Sequence, residues 1–174
     1  MAQYLGSKLC RLPPPPHHPN LTKRLVKIPK LYFYDVGLAS YLLGIEHQQQ
    51  LVTHPLRGGL FENLVIIEAL KHRYNSGKQS NLYFYRDSSG HEIDLIYTLA
   101  DRLLAVEIKA GETVSGHFFN GLRKLAQLLP EQIAGQVLVF GGSATYVRTG
   151  IHVTSPLGFS HTLRQLETHV VIED

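Results

Sequence analysis

The tripeptide Glu107-Ile108-Lys109 is the first place where residue type and spacing point to chemistry. In a strand, side chains alternate between faces, so Glu107 and Lys109 project together while Val106 and Ile108 enter the opposite layer. An anion and a cation then stand side by side. Asp94, between Ile93 and Leu95, likewise projects from one face of an otherwise apolar segment just upstream. A hairpin register that sets it beside Glu107 brings two carboxylates next to one ammonium. Such a group suits a hard divalent cation, magnesium or manganese, which prefers carboxylate and water oxygens. The ion would polarise a phosphoryl oxygen and generate a hydroxide nucleophile near neutral pH, with Lys109 orienting the water or offsetting developing charge. Glu62 is the first choice for a third acid, with Glu68 as its substitute. The expected catalytic set is therefore Asp94, Glu107, Lys109 and Glu62, with Asp94, Glu107 and Glu62 as metal ligands. Arg86 either contacts phosphate bidentately or pairs with Asp87 or Glu92. His91, beside the turn, reads as structural, and Tyr83 and Tyr85 as sheet packing.

The elements that must position these residues follow from the apolar pattern. Leu60, Phe61, Leu64, Val65, Ile67 and Leu70 recur at helical spacing, predicting a buried helix over 60–74 that begins after the Gly58-Gly59 break. Three strands are predicted over 82–86, 92–97 and 103–109. The loops between them are short, so they form an antiparallel meander. A second helix is predicted over 118–129, stopped by Pro130, and then a continuous apolar strand over 137–140 parallel to the strand before the crossover. Residues 151–154 read as an edge strand, and the tail to Asp174 stays ambiguous. Upstream, 31–34 reads as a short strand, and Asp35 caps a helix over 36–43 that Gly44 ends. The segment around Gln48, Gln49 and Gln50 reads as a polar loop. Residues 1–20, with Pro13 to Pro16, read as a linker or arm in extended polyproline geometry. The basic run Lys23, Arg24, Lys27 and Lys30 reads as a phosphate contact or a solvated edge.

Glu62, Asp94, Glu107 and Lys109 match in order the pattern of the PD-(D/E)XK, or restriction-endonuclease-like, nuclease superfamily: an acid on the first helix, an acid on the second strand, Glu-x-Lys on the third. A more specific resemblance is to the domain of unknown function that lies C-terminal to the P-loop module of many bacterial and archaeal AAA-type ATPases. It is carried by the run from Lys23 to Leu38 (KRLVKIPKLYFYDVGL), by Gly59-Leu60-Phe61-Glu62-Asn63, by Tyr85-Arg86, by Glu92-Ile93-Asp94 and by Glu107-Ile108-Lys109, over roughly residues 20–145. The resemblance implies an α/β fold with a restriction-endonuclease-like mixed sheet in the order helix, three-strand meander, helix, strand. It also implies an arm with a small strand-helix unit over 1–56, a nuclease-like domain over 57–174, and a chain that is the C-terminal portion of a longer ATPase. No Gly-x-x-x-x-Gly-Lys-Ser/Thr occurs: Gly77-Lys78 has His72 in place of the earlier glycine and Gln79 in place of the hydroxyl. Nucleotide hydrolysis by this chain is not expected.

Composition bounds the rest. With 174 residues, 44% of them hydrophobic and 18% charged, the chain encloses a real core and is neither disordered nor fibrous. A net charge of +3 permits a polyanion partner without requiring one. A single cysteine, Cys10, excludes an internal disulfide, and no apolar run approaches the roughly 20 residues that cross a bilayer. A cytoplasmic protein is expected. Two functions follow. One is a magnesium- or manganese-dependent phosphodiesterase acting on DNA. The other is a non-catalytic module that docks on an ATPase domain or protein partner through the 32–43 unit, which would leave an apolar patch exposed there.

Overall fold

The computed structural model describes residues 9–12, 30–88 and 90–172, with 9–12 and 170–172 as backbone alone. Strands β1 (Leu9–Leu12) and β2 (Lys30–Phe33) pair antiparallel in a sheet of their own. Three helices follow, α1 (Val36–Leu42), α2 (Gln48–Thr53) and α3 (Arg57–Asn75). Next come β3 (Leu82–Arg86), β4 (Glu92–Leu99) and β5 (Arg102–Lys109), then a 3-10 turn (Gly116–Phe119) leading into α4 (Asn120–Leu128). The chain continues through β6 (Ile133–Phe140), β7 (Tyr146–Arg148), β8 (Ile151–Thr154) and α5 (Pro156–Ile172).

The six later strands form one mixed sheet in the order β3-β4-β5-β6-β8-β7. β3, β4 and β5 are the antiparallel meander; β6 lies parallel to β5 and β8 parallel to β6. Alternation along the strands loads both faces. Leu104, Val106 and Val139 pack under α3 and α5 with Val65, Ile66, Phe159 and Leu163. Ala105, Leu138 and Val153 pack under α4 with Phe119, Leu122 and Leu125. Each buried Leu, Ile, Val or Phe among them stabilises the fold by about 1.5–3 kcal/mol. The result is an α/β architecture with helices on both faces of a mixed sheet. Among the described residues no helix is long and apolar enough to cross a membrane.

The meander, the parallel strand after the crossover, the capping of α1 by Asp35 and the turn at Gly44 stand as expected; the Asp35 carboxylate accepts from the Leu38 N–H, and Gly44 has a φ of 71°. Several expectations are corrected. Gly58 and Gly59 lie inside the first turn of α3, where N–H groups have no intrahelical partner and glycine costs least. The glutamine segment is α2, because Gln50 Oε1 accepts from the N–H groups of Glu46 and His47 and closes a capping box. β8 is interior; the edge is β7, a short exposed strand reached by a tight hairpin with Thr149 and Gly150 at positive φ. The first twenty residues include the strand β1, and the ambiguous tail is a helix. The polyproline run and Lys23, Arg24 and Lys27 lie outside the described residues.

Candidate functional site

The β4–β5 register Leu95↔Val106 continues outward to set Asp94 against the Glu107 end of β5. The β3–β4 pairing then does something a regular hairpin would not. Tyr83 faces Ile96 and Tyr85 faces Ile93, so Asp94 and Leu95 together oppose the single residue Phe84. This is a β-bulge, which bends the strand and re-aims a side chain. Ile93 and Leu95 consequently enter different core layers, and Asp94 turns toward β5, where its Oδ2 accepts the Ile108 N–H at 2.8 Å.

Glu107 and Lys109 project together as alternation requires. Lys109 Nζ lies 2.5 Å from Glu107 Oε1 and 3.6 Å from Asp94 Oδ2, bridging the two carboxylates. Both acids are buried, at 9% exposure for Asp94 and 8% for Glu107. Burial, followed by the charge of Asp94, pushes the Glu107 carboxyl up to about 7 against the pull of Lys109. Burial and the neighbouring Glu62 likewise raise Asp94, opposed by Lys109, the Ile108 N–H and Lys30. Burial alone would depress the Lys109 ammonium, but Asp94 and Glu107 outweigh it and leave it above the usual lysine value. Burial and mutual repulsion thus disfavour charge on both carboxyls at once, and Lys109 opposes that by standing between them. Glu107 Oε2 is buried without a hydrogen-bond partner, facing the first turn of α4 at Gly121, where an added Cβ would stand 3.4 Å from it.

Glu62 on α3 joins this group through a residue that sequence reasoning left in the basic run. Lys30, on β2, turns inward with its side chain 19% exposed. Its Nζ lies 2.9 Å from Glu62 Oε1 and 4.0 Å from Asp94 Oδ1, and it also contacts Glu92 Oε1. Burial works to depress the Lys30 ammonium, and the carboxylates of Glu62 and Glu92 reverse it. Tyr32 donates to the same Glu62 oxygen at 2.5 Å; burial and the Glu62 charge hold that phenol far above its usual range. Beside Glu62, Asn63 grips the strand backbone, accepting from the Phe33 N–H at 2.8 Å and donating to the Phe33 C=O at 2.7 Å. Lys30, Tyr32 and Glu92 were not in the expected site. Their partners stand far away in sequence, so no local spacing marks them; the one available signal is a charged residue at the start of a strand otherwise apolar.

The remaining expected residues fall as follows. Arg86 pairs with Glu92 Oε2 through Nε at 2.9 Å and Nη2 at 2.7 Å, with its side chain 42% exposed. Hydrogen bonds from Lys30 and Arg86 overcome burial and hold Glu92 below the usual carboxylate range. Glu68 is not in the cluster; it pairs with Lys71 at 2.7 Å on the outer side of α3. His91 contacts Asp87 and Lys124 at the β3–β4 turn, and Tyr85 is buried in the core layer under α4.

Among the described residues, no three His, Cys, Asp or Glu side chains are arranged to hold a metal ion as they stand. The ammonium of Lys30 occupies the ground between Glu62 and Asp94. The donor chemistry does fit a hard divalent cation: the carboxylates are oxygen ligands, and Glu107 offers an unpartnered buried oxygen.

Comparison with known proteins divides the chain in two. A family model described as Domain of unknown function (DUF4143) matches residues 57–159, and one described as Domain of unknown function (DUF8612) matches residues 5–49. Two relatives are Uncharacterized protein Rv2008c of Mycobacterium tuberculosis and Uncharacterized protein Mb2031c of Mycobacterium bovis. Each is 29% identical over 143 residues, covering 81% of this chain and 30% of the relative. The matched region thus spans less than a third of the length of these curated relatives. No solved structure matches the chain.

Proposed function

The chain belongs to the family Domain of unknown function (DUF4143), and from that premise we propose that it is a restriction-endonuclease-like, metal-dependent phosphodiesterase acting on DNA, the C-terminal part of a longer ATPase-type protein. The observation that carries the reading is the convergence of Asp94 and Glu107 on Lys109 in a buried pocket. Order of elements supports it: a helix bearing Glu62, an antiparallel meander bearing Asp94 and Glu107, then a helical crossover to a parallel strand.

Asp94, Glu107 and Glu62 would hold magnesium or manganese. When bound, such an ion supplies charge that polarises a phosphoryl oxygen and makes water a stronger nucleophile. Lys109, already within 3.6 Å of both ligating acids, orients that water and offsets charge on the phosphate. Burial of Asp94 and Glu107 keeps bulk water from screening these charges. Arg86 and Lys124 stand at the rim with solvent access, where a phosphate backbone would meet them.

A second reading, a docking module without catalysis, is favoured by one observation. Leu31, Tyr34, Tyr41, Leu42 and Leu43 are exposed on β2, α1 and the segments beside them, a patch of the kind partners cover. Calorimetric titration of Mn²⁺ separates the two. On the catalytic reading the wild type binds the ion and Asp94→Asn does not, while circular dichroism of both stays the same. No binding by the wild type leaves the docking module.

A further inference from the structure

Two lysines divide the acidic cluster between them. Lys109 is an element of the core domain, one residue beyond Ile108, whose N–H fixes Asp94. Lys30 arrives from elsewhere. It belongs to β2, which pairs with β1 and, among the described residues, makes no ladder with the six-stranded sheet. It also falls in the segment matched by one family model, while its carboxylate partners Glu62, Glu92 and Asp94 fall in the segment matched by the other.

The position of the ammonium is that of a cation ligated by acids from α3 and β4. Two of those acids, Glu62 and Asp94, are proposed metal ligands, so a divalent ion and Lys30 cannot both take them. Charge counting agrees. With all four acids ionised and Lys30 in place, the carboxylates of Glu62, Glu92, Asp94 and Glu107 face three cations, Lys30, Lys109 and Arg86. With Lys30 withdrawn, four carboxylates face two cations, and the deficit equals the charge of one divalent ion.

We propose that Lys30 is a tethered counter-ion that competes with a divalent cation for Glu62 and Asp94, so that β2 straps the site shut in the ion-free chain and is released from it as the ion binds. This rests on the metal-dependent reading above and adds how that site is regulated. Tyr32 and Asn63 belong to the same strap. Tyr32 shares the Glu62 oxygen with Lys30, so a Glu62 that turns to an ion abandons both, and the strap keeps the burial of the Tyr32 ring against the α3 side of the core and the Asn63 bonds to Phe33. A site open only part of the time binds with an affinity reduced by the open fraction, so a strap closed in roughly nine of ten molecules weakens apparent binding about tenfold.

The test compares wild type, Lys30→Met and Lys30→Arg by Mn²⁺ titration, and follows the Phe33 amide by hydrogen exchange in the wild type with and without saturating Mn²⁺. The Phe33 N–H, bonded to Asn63 Oδ1, reports on the strap directly. Lys30→Met should bind Mn²⁺ at least about tenfold more tightly than wild type, Lys30→Arg should stay near wild type, and Phe33 exchange should accelerate on saturation. A fixed structural ion pair would not give that acceleration. Wild type and Lys30→Met binding alike, or Phe33 protection unchanged at saturation, overturns the strap and leaves the metal reading standing. If the wild type does not bind Mn²⁺, the metal reading falls and the strap falls with it. Because the exchange measurement uses the wild type, it decides the matter even if Lys30→Met does not fold.

Discussion

Replacing Glu107 by glutamine removes a charge that the folded, metal-free chain holds under strain. Its carboxyl sits at about 7 in the folded state against an ordinary 4.5, through burial and the nearby Asp94. Below pH 4.5 the group is protonated whether the chain is folded or not, and contributes nothing to the pH dependence. Between about 4.5 and 7 the folded chain keeps the proton and the unfolded chain loses it, so stability falls as pH rises through that window. Above 7 the loss is complete. A shift of this size corresponds to roughly 2–3 kcal/mol once the repulsion it shares with Asp94 is discounted. Glutamine keeps the shape and abolishes the charge, and Lys109 retains Asp94 as its partner. In EDTA at pH 8, Glu107→Gln should therefore be more stable than wild type by about 2–3 kcal/mol in urea, or about 4–12 °C in thermal midpoint. At pH 4 the two should coincide. The gain should also be bought with function, because the same change removes a proposed ligand. A Glu107→Gln protein that is less stable than wild type at pH 8, or that keeps the wild-type pH dependence, refutes the electrostatic account of the pocket.

Two further substitutions probe the frame around it. Asn63→Ala leaves the Phe33 N–H and C=O without their side-chain partner and should lower stability by about 2 kcal/mol in urea unfolding, with faster exchange of the Phe33 amide. Gly121→Val drives a branched side chain against Ile93 Cδ1 and Glu107 Oε2, which an ideal Cβ already meets at 3.2 and 3.4 Å, and should cost about 1–3 kcal/mol of stability while displacing Glu107 and weakening Mn²⁺ binding.

Periodicity made much of the fold legible. Long-range strand pairing in β4, β5 and β6 is written locally as apolar alternation or apolar runs, because each must bury one or both faces. The tail reads as ambiguous, although α5 carries a signal there: Ser155 Oγ accepts the Gly158 N–H, Pro156 opens the helix, and Phe159, Leu163 and Leu166 recur on one buried stripe. β7 is different. Tyr146, Val147 and Arg148 are all exposed, so nothing in their pattern distinguishes a strand from a loop, and that is why β8 looks like the edge.

The candidate site was legible where it is local and illegible where it is not. Glu107 and Lys109 share a face through strand alternation alone, which any sequence with that spacing announces. The aim of Asp94 depends on the bulge opposite Phe84, a backbone irregularity that Ile93-Asp94-Leu95 does not encode by itself. Lys30 is the extreme case. In a run of lysines and arginines it reads as a phosphate contact or a solvated edge, and only the fold, by setting β2 against α3 and the start of β4, makes it the counter-ion of three acids.

The most direct test is nicking of supercoiled plasmid DNA by the purified chain in Mn²⁺, run beside Lys109→Met with Mn²⁺ binding measured on both. Asp94 and Glu107 remain in that variant, so it should still bind the ion; wild type should nick the plasmid and Lys109→Met should not. An inert wild type, or a Lys109→Met protein that nicks as fast as wild type, contradicts a phosphodiesterase built on these residues.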